Sequence, residues 1–122
     1  MGDRGHIGII QHANPTPIYF YTHWEGHRVC QKLAEGLRQA NEAGRLSDET
    51  YATRIIFDAL TGCTGEDTGY GIMIGDHAGD NQYPIPMVKW KSSGDEPHIF
   101  LGNDHFTVTE FIAIFLPKKI SK

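Results

Sequence analysis

The sequence predicts an α+β domain with the element order β-β-α-α-β-β-β-α: a largely antiparallel sheet, two helices packed on one of its faces, and a short C-terminal helix. Three observations predict it. The run Pro17–Trp24 (P-I-Y-F-Y-T-H-W) alternates at the period of a β-strand. Two middle segments carry apolar residues three and four positions apart, the period of an amphipathic helix. The stretch Thr107-Val108-Thr109-Glu110 spells a helix capping box.

Taken in order, His6–Gln11 is a short apolar strand. The turn formers Ala13-Asn14-Pro15-Thr16 lead from it directly into Pro17–Trp24. So short a connection favours an antiparallel hairpin, which pairs strand one with strand two. Alternation puts Ile18, Phe20, Thr22 and Trp24 on a core face and Tyr19, Tyr21 and His23 on the other. Val29, Cys30, Leu33, Leu37 and Ala40 then form the apolar stripe of a first helix, which Gly44 stops. Ser47 or Asp48 caps a second helix, whose stripe is Ala52, Ile55, Ile56, Ala59 and Leu60 and whose stop is Gly62. The short link between them predicts an antiparallel helical pair.

Thr61–Thr68 is a polar turn. Tyr70–Ile74 reads as a strand with Gly71 and Met73 on a nearly bare face, where a backbone or a ligand approaches closely. Gly75–Pro84 is a loop. Ile85–Lys91 and His98–Leu101 are strands joined by a longer hairpin loop, with Pro86 marking an edge or a strand end. The last helix runs from Val108 to Leu116. Phe106 and Phe111 occupy the two positions of a hydrophobic staple, and Pro117 ends the helix. Apolar residues circle much of it, so both sides are buried in the fold or one meets a second subunit.

A chain of 122 residues with net charge −4 supports one domain, residues 1–117, followed by a basic tail at 118–122. The acidic balance argues against non-specific binding to DNA. The two cysteines, Cys30 and Cys63, lie within or at the end of the helices and form no disulfide framework, which favours buried thiols in a reducing compartment. There is no span of apolar residues of bilayer length and no apolar signal region. Position 6 is His rather than Ser or Thr, which removes Gly2 as a myristoylation site. The expectation is a cytoplasmic protein without a membrane partner.

Seven histidines invite a search for metal. His23 and His27 are four apart but straddle a strand end and a glycine, so they do not share a helical face. The loop Asp76–Asn81 lacks the carboxylate alternation and closing Glu of an EF-hand. No metal site and no cofactor are expected. Neither a nucleophile elbow nor a phosphate-binding loop occurs, and Gly69-Tyr70-Gly71 opens a strand rather than a helix. Arg54 and Asp58 lie one helical turn apart, an ordinary ion-pair spacing. The most suggestive group is Tyr19, Tyr21 and His23 with Arg28 just beyond: rings that stack and a guanidinium, the chemistry that receives a nucleotide-like ligand. Its alternative is a sheet face that only packs. Arg54 and Tyr70 complete the candidate ligand-binding set.

The motifs Gly2-Asp3-Arg4-Gly5, I-Y-F-Y-T-H-W-E-G at 18–26, Tyr51 with Arg54-Ile55-Ile56-Phe57, and Thr68-Gly69-Tyr70-Gly71-Ile72 occur in that order. In this the chain resembles a group of small uncharacterised bacteriophage and bacterial proteins, over roughly its first 75 residues. The resemblance implies a phage-like origin, and with it an inhibitor or sponge acting against host defence; it transfers no catalytic residue. The first functional expectation is therefore a non-catalytic protein that sequesters a nucleotide-derived signalling molecule. The second is an inhibitor that binds a host protein, with homo-oligomerisation through the C-terminal helix (Phe111, Phe115). The third is a small hydrolase using His23 with Glu25.

Overall fold

Alternating strands and two amphipathic stripes assemble as the sequence pattern requires. The computed structural model describes residues 3–62, 69–75 and 83–116. Gly2, Cys63, most of the Thr61–Thr68 turn, the Asp76–Asn81 loop and the lysines of the tail lie outside those residues. The strands are β1 (Gly5–Ile10), β2 (Ile18–Thr22), β3 (Tyr70–Ile74), β4 (Met87–Lys89), β5 (His98–Leu101) and β6 (Asp104–Thr107). The helices are α1 (Val29–Glu42), entered through a 3₁₀ turn at Gly26–Arg28, then α2 (Glu49–Thr61) and α3 (Val108–Phe115).

The six strands form one sheet in the order β3-β2-β1-β4-β5-β6. The β1–β2 hairpin is antiparallel, with Ile7 opposite Phe20 and His6 opposite Tyr21. Among the described strands, only the β1–β4 pair is parallel. Its two strands are linked through both helices and β3, a crossover too long to be read from local pattern. Pro86 does mark a strand end: β4 starts at Met87, and the Pro86 carbonyl accepts from the Gly8 N–H at 2.9 Å.

One face of the sheet carries Ile7, Ile9, Phe20, Val88 and Ile99 into a core shared with Leu33, Leu37, Ile56, Leu60, Val108 and Phe111. All three helices contribute to that core, so they cover this face. Trp90 closes it from the end of β4, donating its indole N–H to the Leu46 carbonyl at 2.8 Å and so tying the α1–α2 connection to the sheet. The helix ends follow local chemistry. The Asp48 side chain accepts the Tyr51 N–H, and the predicted stops Gly44 and Gly62 adopt positive φ of 72° and 69°. The Thr107–Glu110 capping box is present in both directions, and the staple rings Phe106 and Phe111 meet at 5.6 Å.

Two expectations need correction. Trp24 is not core; it is 65% exposed. The strand ends at Thr22, whose buried hydroxyl accepts the Trp24 and Glu25 N–H groups and turns the chain, so alternation stops there. The sheet also has a sixth strand. Gly102 (φ 62°) and Asn103 make a two-residue turn that returns the chain as β6, with Leu101 opposite Asp104. Of the two placements open to α3, the structure shows most of its apolar surface spent on its own domain. Phe111 is fully buried, Ile112 and Phe115 pack against the core, and Ile114 is the one large apolar side chain of the helix left exposed.

Among the described residues, no helix is long and apolar enough to cross a membrane.

Candidate functional site

The tyrosine row lies on the helix-free face and packs there. Register places Tyr19 over Gly8 and Tyr21 beside His6. The His6 imidazole is held edge-on to Tyr19 at 6.0 Å and tilted against Tyr21 at 5.0 Å. The Tyr21 hydroxyl meets His23 Nδ1 at 2.9 Å, and the His23 ring stands edge-on to Trp24 at 4.7 Å. Tyr19 is 8% exposed and His6 1%. The rings thus occupy one another's faces, the cross-strand packing that stabilises a sheet. Among the described residues, nothing stands within 4 Å of where a Cβ on Gly71, opposite Tyr21, would lie.

The other predicted site residues are elsewhere. Tyr70 points to the helix-covered side and belongs to the core, opposite Thr22. Arg54 is exposed on α2 and ion-paired with Asp58. Glu25 turns to Lys32 at 3.5 Å, so it forms no dyad with His23. Arg28, at the end of the 3₁₀ turn, lines a groove of about 320 Å³ with Gln31, Lys32, Glu35, Ala59 and Leu116. The guanidinium that was expected to complete the tyrosine row therefore sits among the helices.

That groove adjoins a second cavity, also about 320 Å³, at Gln31. The second is mainly apolar, with His27, Cys30, Tyr83, Leu101 and Phe115 in its wall. Its geometry originates at the N-terminus of the described chain. Gly5 and Gly26 pack backbone to backbone: a Cβ on Gly5 would meet the Gly26 Cα at 2.7 Å. The Gly26 N–H donates to the Asp3 carbonyl at 2.7 Å, and the Asp3 N–H donates to the His23 carbonyl at 2.6 Å. This close approach explains why glycines occur in the Asp3-Arg4-Gly5 and Glu25-Gly26 motifs. It also delivers the Asp3 carboxylate to the start of the 3₁₀ turn. There it accepts the His27 N–H at 3.3 Å and pairs with His27 Nδ1.

Hydrogen bonding from Tyr83 and from His27 holds Asp3 below the usual carboxylate range, and Asp3 in turn raises the Tyr83 phenol. The Asp3–His27–Tyr83 cluster fixes two rings at the cavity wall. Cys30 is the nucleophile nearest to it, and burial pushes its thiol up to about 11. A thiol so far from ionising at neutral pH is not activated for attack. Among the described residues no group of three or more metal-ligating side chains occurs. What the place offers is rings and apolar walls on one side of Gln31, and on the other two cations, Arg28 and Lys32, beside the Glu35 carboxylate.

Reading the sequence alone missed His27, Gln31, Lys32 and Tyr83. One signal was available. His27 and Arg28 in the 3₁₀ turn are followed at helical spacing by Gln31 and Lys32 in the first turn of α1, a run of polar positions off the apolar stripe, with no acid in that first turn. Comparison of the chain with protein-family models, with curated proteins and with solved structures finds no match.

Proposed function

We propose that the protein captures a small nucleotide-like anion, without chemically altering it, in the paired grooves at the start of α1. One observation carries this reading: an apolar, ring-lined cavity adjoins, across the shared Gln31, a polar groove in which Arg28 is exposed beside Lys32, whose partner is Glu25, and Glu35, whose partner is Arg38. Cavities of this size, mainly apolar with a few placed polar groups, suit small molecules. In this reading a base lies against His27, Tyr83 and Phe115, which offer π-faces and edges. A phosphate lies against Arg28, whose planar fork of donors matches phosphate oxygens, with Lys32 as a second point charge. The Gln31 amide donates and accepts between them.

Capture is favoured over turnover by two features. The Cys30 thiol stays protonated at neutral pH. His23, the expected base, is hydrogen-bonded to Tyr21 on the other side of the sheet. Sequestration of a defence signal is the biological form of this reading, and it rests on the phage-like resemblance of the N-terminal motifs.

The experiment is thermal-shift and calorimetric screening of the full chain against cyclic dinucleotides and ADP-ribose-derived nucleotides, with mass spectrometry of the recovered ligand. A ligand in hundredfold excess over its Kd stabilises by about 2.7 kcal/mol. The reading predicts such a shift with one member of the panel, and intact ligand on recovery. No shift with any member refutes capture of this class. Recovery of a cleaved product, abolished by His27→Ala, would make the Asp3–His27 pair the centre of a hydrolase instead.

A further inference from the structure

The β5–β6 hairpin carries a second arrangement, on the sheet face opposite the one that Leu101 turns to the apolar cavity. The Gly102-Asn103 turn sets the register, placing His98 opposite Thr107 and Phe100 opposite His105. His98 and His105 therefore lie diagonally on adjacent strands, on the helix-free face. Their rings are 4.7 Å apart, and His98 Nδ1 meets His105 Nε2 at 2.6 Å. Phe100 stacks flat on His105, with centroids 4.6 Å apart and planes 10° from parallel, which fixes that ring. Neither imidazole pairs with a carboxylate among the described residues. β6 is the outer strand, and His105 is exposed, so solvent reaches the pair.

We propose that His98 and His105 chelate a divalent transition-metal ion of the zinc, copper or nickel class. Imidazole nitrogen suits these ions. With bonds of about 2.0–2.1 Å, two nitrogens on one ion stand roughly 3 Å apart, so a small rotation of the two rings converts the hydrogen-bonded pair into a chelate. The strand pairing supplies that preorganisation, and water fills the remaining positions. Both facing nitrogens must be free of protons when they bind the ion, the displaced proton moving to the other ring nitrogen or to solvent, so protons compete with the ion and binding weakens as pH falls.

The test is calorimetric titration of the full, untagged chain with Zn²⁺ and Ni²⁺ at pH 7.5 and pH 5.5, alongside His98→Gln and His105→Gln. The site predicts one ion per chain, weaker at the lower pH. It also predicts an affinity loss of about tenfold or more in each single variant, at least the loss known for removing an outer-sphere partner. Copper(II) electron paramagnetic resonance should report two bound nitrogens in the parent and one in each variant. His105 is exposed on the outer strand and His98 is half-buried beside it, so circular dichroism of the ion-free variants should match the parent. Absence of binding overturns the proposal. So does equal affinity in either variant, because a chelate needs both rings.

Discussion

The tyrosine row and the α1 grooves are both rich in rings, and they have opposite physical outcomes. In the row, regular strand geometry brings Tyr19, His6 and Tyr21 together at a fixed spacing, and each ring is used by its neighbour. At the grooves, a 3₁₀ turn, the residues around Tyr83 and the end of α3 meet at irregular angles. His27, Tyr83 and Phe115 then line a cavity instead of filling one. Regular elements consume ring surface, whereas junctions between element ends leave it available.

Variants that separate the two regions sharpen this contrast. The largest effect is expected for Tyr19→Ala. Removing a nearly buried ring from over Gly8 should cost about 3 kcal/mol of stability by analogy with other large-to-small core changes. Denaturant unfolding measures it, and ligand affinity of the folded fraction should be unchanged. Gly5→Ala comes next. Its Cβ would meet the Gly26 Cα at 2.7 Å, and the neighbour that must move is backbone. A cost of about 2 kcal/mol is expected from overpacking. Because this contact delivers Asp3 to His27, ligand affinity should fall too, which Tyr19→Ala should not cause.

Arg28→Glu is expected to leave the unfolding midpoint in place, since the side chain is exposed, and to weaken ligand binding by about 2 kcal/mol through the lost charge-assisted hydrogen bond. Titration calorimetry reads it directly. Arg54→Glu is the matched control on α2 and should not change affinity.

The Asp3–Tyr83 contact predicts a smaller, pH-dependent effect. Asp3 ionises more readily folded than unfolded, so its contribution is present above about pH 4 and is lost as pH falls through the lowered pKa. Tyr83 holds its proton more tightly folded than unfolded. Its contribution is present below about pH 10 and is lost as pH rises through the raised pKa. Tyr83→Phe should therefore flatten both flanks of the stability–pH profile measured by thermal melts. The slightest effect concerns Cys30. With its thiol pushed up to about 11, peptide-mapped alkylation of this residue at pH 7.5 should be far slower than that of an exposed thiol.

Much of the fold was legible because local chemistry and burial agreed. The Thr107–Glu110 box, the Asp48 cap and the two helical stripes each specify one structure, and the β1–β2 hairpin follows from its short link. β6 was not legible from pattern, since Asp104-His105-Phe106-Thr107 has one apolar residue and borders water; only Gly102-Asn103 announces it. The parallel β1–β4 pairing has no local signal, being decided by how the helices fill the core. The site was legible only in part. Arg28 could be picked out as a cation near the aromatic strand. Its direction depends on the Thr22 turn and the 3₁₀ turn, which rotate the chain away from the tyrosines. Tyr83 could not be found, because its partner Asp3 is far away in sequence and meets it only through the Gly5–Gly26 contact.

Backbone amide chemical-shift mapping separates the α1 grooves from the tyrosine row as the place where ligand binds. The labelled full chain is titrated with the nucleotide that gives the thermal shift. Binding in the grooves should place the largest perturbations on residues 26–32, Tyr83, Leu101 and residues 115–116, with β1 and β2 amides at 6–8 and 19–21 nearly unmoved. Perturbations centred on Tyr19, Tyr21 and His6, with residues 26–32 unmoved, would contradict it and return the site to the tyrosine row.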